Sequence, residues 1–248
     1  ESLSGHGVVN EGRASTRLGM FGWPALAEEL EICRDIELVR LTKCPLHICH
    51  ISTRKGLDLV RAAKADGLPV TCEVTPHHLF LTEDNIGDDY STALKVNPPL
   101  RTAADAEALI AGVIDGTVDA IVTDHAPHTA WEKDREFELA PFGMIGLETS
   151  LGLVITNLVA TGKISWERMT ELMGANQRAI LGVERVALEA GSTADLTVID
   201  PEAAWTVDAA DFCSKAKNSG FIGAQLTGRA TDVYVGGYAT MEDGKIVE

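Results

Sequence analysis

The segment VDAIVTDHAPH, residues 118–128, runs from an apolar stretch into Asp124, His125 and His128. An apolar, β-branched run with this ending reads as a buried strand delivering a carboxylate and imidazoles to a loop, where binding and catalytic groups sit. The same letters also suit an Asx turn punctuated by Pro127. Two other stretches end alike: LHICHIS, with His47 and His50, and TPHHLFL, with His77 and His78. Imidazole nitrogen and carboxylate oxygen are donors that a divalent ion such as zinc accepts. His47 and His50 are three apart, so on a strand they point to opposite faces; His50, nearer the carboxyl end, is the better ligand candidate. In KVNPPLR two prolines hold Asn97 and Arg101 on an extended backbone. Asparagine offers a donor and an acceptor to a cyclic amide, and arginine suits a carboxylate; a rigid loop with a solvated Arg101 is the alternative. In APFGMIGLE, Gly143 and Gly146 allow close backbone approach to a ligand or, equally, a tight packing turn.

These residues need a scaffold that brings strand ends together. Residues 24–42 have apolar positions at helical spacing, with Pro24 suited to a first helical position. PLHICHIS (45–52) reads as a strand, and the stretch from Thr53 to Gly67 as a helix with those two residues as caps. PVTCEVT (69–75) is a second strand, residues 103–115 a helix closed by Gly116, and VDAIVTD (118–124) a third strand. Such alternation predicts a parallel sheet with right-handed crossovers and a site at the carboxyl ends of its strands. Two further helices are expected near 146–161 and 165–181, the second capped by Ser165. From residue 186 the texture becomes strands and turns, with EDGK a hairpin signal. The fold class is therefore α/β. Residues 1–185 form the alternating α/β part, and 186–248 a small β-sandwich-type domain.

A chain of 248 residues can bury a large core, and its 45% apolar and 23% charged residues are ordinary for a globular protein. A net charge of −16 argues against nucleic acid or an anionic membrane as partner. No apolar run is long enough to span a bilayer. Five cysteines without paired short spacing read as reduced, buried thiols of a cytoplasmic protein, with no zinc–thiolate site expected. The chain opens at Glu1 without a signal-peptide pattern, which suggests a piece of a longer protein.

LHICHIS, EVTPHHLFLT, KVNPPLR, DGTVDAIVTDHAPH, APFGMIGLETSL and GSTADLTVID follow one another in an order and spacing that resemble the type I dihydroorotases of the amidohydrolase superfamily. NPPLR together with TDHAPH is the most specific pair. The resemblance runs from about residue 9 to the end. It implies part of a (β/α)8 TIM-type barrel with a β-rich side domain. The implied activity is the zinc-dependent, reversible cyclisation of N-carbamoyl-L-aspartate to dihydroorotate in pyrimidine biosynthesis, with one or two Zn2+ ions in the complete enzyme. By the same resemblance His50 is a metal ligand, and Asp124 is both a metal ligand and the catalytic general base and acid. Asn97, His128, Phe142 and Gly143 contact substrate, and His77, His78 and His125 support them.

The departures from the family pattern are equally specific. Its His-x-His pair, bridging carboxylate, strand-five histidine and substrate-gripping arginine have no counterpart in these residues. About three strands of eight and two usual metal ligands remain, so the isolated chain is expected to be inactive and to bind metal weakly. Two rival readings stand beside this one: another cyclic amidase (allantoinase or dihydropyrimidinase), and a catalytically inactive scaffold subunit for aspartate transcarbamoylase. The partners implied are the small-molecule substrate and a homodimer mate or aspartate transcarbamoylase.

Overall fold

A computed structural model describes residues 3–247, in two compact units: Glu1–Gly146 with Phe212–Gly220, and Leu147–Asp211 with Phe221–Glu248. In the first unit, β1 (Val9–Asn10) pairs in parallel with β2 (Gly22–Trp23) across α1 (Arg13–Leu18). The chain then alternates α2 (Ala25–Thr42), β3 (Leu46–Ile48), α3 (Arg54–Ala65) and β4 (Val70–Val74). After α4 (Pro76–Phe80) and α5 (Ala103–Asp115) comes β5 (Ala120–Ile121), and α6 (Ala130–Lys133) follows.

Strands β3, β4 and β5 lie side by side in that order, all parallel, inside the three stretches expected to be strands. β5 is shorter than the sequence suggests. Single bonds extend its ladder: the Asp119 N–H donates to Cys72 O at 3.0 Å and the Val122 N–H to Val74 O at 3.0 Å. The architecture is α/β with parallel sheets that do not close into a barrel.

Local chemistry explains the element ends. Thr53 Oγ1 accepts from the Gly56 N–H at 3.1 Å and Thr102 Oγ1 from the Asp105 N–H at 3.2 Å, each satisfying an orphan donor of a first turn. Gly67 and Gly116 leave their helices with φ 72° and 87°, the left-handed conformation glycine adopts without strain. The stretch TPHHLFL forms the short helix α4, capped by Thr75 Oγ1 on the His78 N–H. Helix α3 packs between α2 and α5. Its Leu57 and Val60 are buried, as are Val70, Cys72 and Val74 of β4. The expectation of buried thiols fails for four of five cysteines: Cys72 is buried, whereas Cys33, Cys44, Cys49 and Cys213 are exposed. Apolar neighbours in sequence misled here, because neighbours on a helix or strand face different ways.

The second unit begins with α7 (Ser150–Val154), which widens into a π turn over Ile155–Val159. Then come α8 (Trp166–Thr170), a similar wide turn at Glu171–Ala175, and α9 (Asn176–Leu181). Ser165 caps α8 as expected, accepting from the Arg168 N–H at 3.2 Å. A four-stranded antiparallel sheet follows in chain order: β6 (Leu196–Thr206), β7 (Gln225–Val235), β8 (Tyr238–Glu242) and β9 (Lys245–Ile246). The EDGK stretch turns the β8–β9 hairpin, with Asp243 and Gly244 at φ 48° and 73°. Two consecutive positive φ angles are what a two-residue hairpin loop demands. Among the described residues no helix is long and apolar enough to cross a membrane.

Candidate active site

The site forms where β3, β4 and β5 end. Along β4, burial alternates: Val70, Cys72 and Val74 are buried, while Thr71 and Glu73 are half-buried on the other face. His47 registers with Thr71, so His47, Thr71 and Glu73 share that face. His47 Nε2 lies 3.0 Å from Glu73 Oε2, and His50 Nε2 lies 3.2 Å from Glu73 Oε1. This corrects the expectation that the two histidines point apart. The strand stops at Ile48 and His50 has φ 51°, so left-handed backbone breaks the two-residue alternation. Burial alone would raise the Glu73 carboxyl, but hydrogen bonds and positive charge from His47 and His50 outweigh it and hold Glu73 down at about 2. His50 is shifted upward by its hydrogen bond to Glu73, against burial, with further help from the charge of Asp124.

Asp124 leaves β5 with φ 44°, a second non-glycine left-handed residue at a strand end. Asp124 and His50 thus leave the two strands on either side of β4 in the same left-handed conformation. His77 and His78 sit buried behind them, rings 4.5 Å apart. Burial keeps both neutral, with His78 lowered to about 4 and His77 well below its ordinary value. His78 bonds Thr75 Oγ1 at 2.7 Å and Pro98 O at 2.8 Å, tying α4 to the NPPLR loop. Asn97 is exposed and lines a cavity of about 620 Å³ together with His47, Cys49, His50, Pro98 and Arg101.

Arg101 is spent on structure. Its Nη1 donates to Asn10 Oδ1 at 2.8 Å and Trp23 O at 2.9 Å, its Nε to Ser52 Oγ at 3.1 Å, and Glu28 stands 3.7 Å away. The solvated arginine contemplated from sequence is instead buried, with Nε and Nη1 committed to protein, while the side chain still borders the cavity.

The loop after Asp124 is braced by a second loop. The Ala126 N–H donates to Met144 O at 2.9 Å, and the Gly146 N–H to His125 Nδ1 at 3.2 Å. His128 Nε2 donates to Phe142 O at 2.9 Å. Asn218, which nothing near it in sequence singles out, donates to Ala126 O and Gly143 O and accepts from the His128 N–H. Gly143 has φ 125°, and a Cβ there would meet Ala126 Cβ at 2.5 Å and His128 Nε2 at 3.2 Å. The close backbone approach at this glycine is therefore to protein. Gly143→Ala is expected to lower stability by about 1–3 kcal/mol through strain and overlap. Equilibrium denaturation of the variant against the parent measures it, and a change under 0.5 kcal/mol would count against the packing role.

Two buried lysines hold the same loop. Lys95 Nζ donates to Glu138 O at 2.9 Å and stands 4.5 Å from the Phe142 ring centre, while Lys133 Nζ donates to Thr92 O and Pro141 O. Burial lowers each to about 8 from an ordinary 10.5, and Lys95 adds repulsion to Lys133. An ammonium disfavoured in the folded state costs stability in full below pH 8, and the cost is relieved as pH rises from 8 towards 10.5. Relative to Lys95→Met, the parent should gain stability over that window, on the order of 2–3 kcal/mol. Parallel unfolding curves at pH 7, 9 and 10 test it, and a pH-independent gap between the proteins would contradict it.

Comparison with known proteins places these features. No protein-family model matches the chain. L-Hydantoinase (dihydropyrimidinase) of Arthrobacter aurescens superposes with a TM-score of 0.86 at 31% identity, over 92% of this chain and 51% of that one. The dihydropyrimidinase of Brevibacillus agri superposes equally well, at 0.86 over 91% and 50%, with 22% identity that speaks for fold alone. Fold and strand-end site thus define a member of the amidohydrolase superfamily, with part of its TIM-type barrel. Among curated relatives, the dihydroorotase of Pelotomaculum thermopropionicum is 48% identical over 243 residues, 98% of this chain and 57% of that protein. That of Geobacter metallireducens is 50% identical over 236 residues, 95% and 55%. The chain belongs to the dihydroorotase family, and it spans a little over half the length of these relatives.

Proposed function

We propose that the chain carries part of the active site of a zinc-dependent dihydroorotase, a cytoplasmic enzyme that reversibly cyclises N-carbamoyl-L-aspartate to dihydroorotate for pyrimidine synthesis. One observation carries the reading: His50 and Asp124 both leave strands flanking β4 in left-handed backbone, at φ 51° and 44°, with His50 Nε2 3.2 Å from Glu73. Their nitrogen and oxygen donors suit a zinc ion, and a carboxylate already faced by two imidazoles suits a cationic neighbourhood. His50 and Asp124 would hold the ion. When bound, it supplies Lewis acidity towards the ring amide carbonyl.

The chain's own residues do the rest. In ring opening, Asp124 takes a proton from the attacking water and returns it to the ring nitrogen as the carbon–nitrogen bond breaks; cyclisation runs these transfers backwards. Asn97, exposed on the cavity wall, pairs its donor and acceptor with the ring amide. His128 spends Nε2–H on Phe142 O, which fixes the ring and leaves its Nδ1 edge for a substrate contact. Phe142 and Gly143 bound the substrate from the braced loop. Residues 1–185 serve as the barrel part and 186–248 as the small β domain. Two of the three or four protein ligands that zinc requires come from this reading, so the chain alone should turn over little dihydroorotate.

The test is substrate choice in the full-length protein that contains this sequence. Dihydroorotate should be opened at rates ordinary for enzymes, about 1 per second or more, with hydantoin and dihydrouracil poor substrates. Preferred turnover of dihydrouracil would shift the assignment to a dihydropyrimidinase. No turnover of any of the three would favour the inactive scaffold subunit of aspartate transcarbamoylase.

A further inference from the structure

Phe212–Gly220 belongs to the first unit although the chain on both sides of it lies in the second. The segment is set firmly in place. Lys217 Nζ donates to Phe212 O at 2.7 Å, closing the stretch on itself, and Phe212, Ala216 and Ser219 are buried. Gly220 lies so close to Leu94, Leu81 and Met144 that a Cβ there would meet their methyl carbons at 2.7, 3.2 and 3.3 Å. What this braced segment presents is the side chain of Asn218.

Asn218 is 8% exposed and uses its whole amide. Nδ2 gives one hydrogen to Ala126 O at 3.0 Å and the other to Gly143 O at 3.1 Å, while Oδ1 accepts from the His128 N–H at 3.2 Å. Its backbone O accepts from the Ile145 N–H at 3.0 Å. Reversing the amide would set its oxygen against two carbonyls, so these partners dictate its orientation. One residue thus clips the loop 126–128 to the loop 142–145, and across the same gap His128 Nε2 donates to Phe142 O at 2.9 Å. Asp124 is held separately. The Val122 N–H on Val74 O, the Ala126 N–H on Met144 O and the Gly146 N–H on His125 Nδ1 fix the chain around it without Asn218.

We propose that Asn218 is a positioning residue for substrate: it fixes the separation between the His128 ring and the Phe142–Gly143 backbone, the two walls that bound the cyclic amide. What occupies the gap rests on the dihydroorotase reading; the clip itself does not. Without the amide, Ala126 O, Gly143 O and the His128 N–H lose their protein partner, turn to water and let the loops part. Binding then suffers more than the chemical step, because the peptides around Asp124 keep their own bonds. A loss of that kind raises KM and spares kcat, whereas a residue that only supports the fold lowers the active fraction and leaves KM alone.

Asn218→Ala in the full-length protein that contains this sequence tests it. KM for dihydroorotate should rise about 10- to 100-fold, the cost of a small misplacement of binding groups, with kcat within about threefold of the parent. Asn218→Ser, whose short hydroxyl serves one partner at most, should fall between the two and takes over the test if the alanine variant does not fold. Ser165→Ala, which removes the α8 cap in the second unit, should lose stability but keep the parental KM. Proton NMR of 15N-histidine-labelled protein adds a reading free of turnover. The His128 Nε2–H bonded to Phe142 O gives a resonance, assigned by its loss in His128→Asn, that should vanish in Asn218→Ala and persist in Ser165→Ala. A folded Asn218 variant with parental KM would overturn the positioning role. Were the parent to turn over no dihydroorotate, the substrate reading alone would fall, and survival of the His128 resonance in Asn218→Ala would then overturn the clip.

Discussion

Asp124→Asn in the full-length or reconstituted enzyme should lower the rate of dihydroorotate hydrolysis about 100- to 10,000-fold, the usual share of a positioned acid–base group. The amide keeps the shape of the side chain but neither accepts nor relays a proton, and it removes a negative charge acting on His50. The fold should survive for a specific reason. Asp124 has φ 44°, and asparagine is among the few residues that tolerate the left-handed region. A substitution such as Asp124→Val would confound strain with chemistry, whereas asparagine does not. If Asp124 only closed a turn before Pro127, the outcome would reverse: about 1 kcal/mol of stability lost and turnover nearly unchanged. Steady-state turnover measured beside thermal unfolding on the same metal-loaded sample separates the two. A folded variant with near-parental rate would refute the proton-transfer role of Asp124.

The parts of this site that sequence revealed were those governed by local rules. Thr53, Gly67, Thr102 and Gly116 mark helix ends because capping needs residue types a few positions apart. The parallel order of β3, β4 and β5 followed from strand–helix alternation alone. The role of Glu73 was legible but missed: VTCEV alternates apolar with polar, which puts Thr71 and Glu73 on the face opposite the core. The convergence of His47 and His50 was not legible, because it depends on a left-handed residue that histidine seldom signals. Asn218 was beyond reach too. It bonds residues 75 and 92 positions away, and no local pattern encodes such a pairing. Arg101 shows the same limit in reverse: its proline-rich setting suggested a displayed side chain, while its partners Asn10, Trp23 and Glu28 lie 73 or more positions upstream.

Arg101 also carries the largest expected effect on stability. Its side chain is buried, with Nε on Ser52, Nη1 on Asn10 and Trp23, and the Glu28 carboxylate nearby. Burial makes its charge costly, and the surrounding acidic groups, Glu28 first, offset that cost. Arg101→Leu removes the cation but leaves its acceptors: the Asn10 amide oxygen, the Trp23 carbonyl and a partly buried Glu28. Breaking one side of a buried ion pair costs about 3–5 kcal/mol, because the abandoned charge cannot return to water. The lower end is expected here, since Glu28 keeps donors from the Ser52 and Thr53 N–H groups at 2.9 and 3.0 Å and from both hydroxyls. Arg101→Lys keeps a charge but not the planar fork that reaches Ser52 and Asn10 together, so it should recover only part of the loss. Adding Glu28→Gln to Arg101→Leu should cost less than the sum of the single changes, the mark of coupled partners. Urea denaturation of the four proteins, read from tryptophan fluorescence, measures the cycle. Strict additivity, or a loss under 1 kcal/mol for Arg101→Leu, would return Arg101 to the surface role its sequence context suggested and free it for substrate.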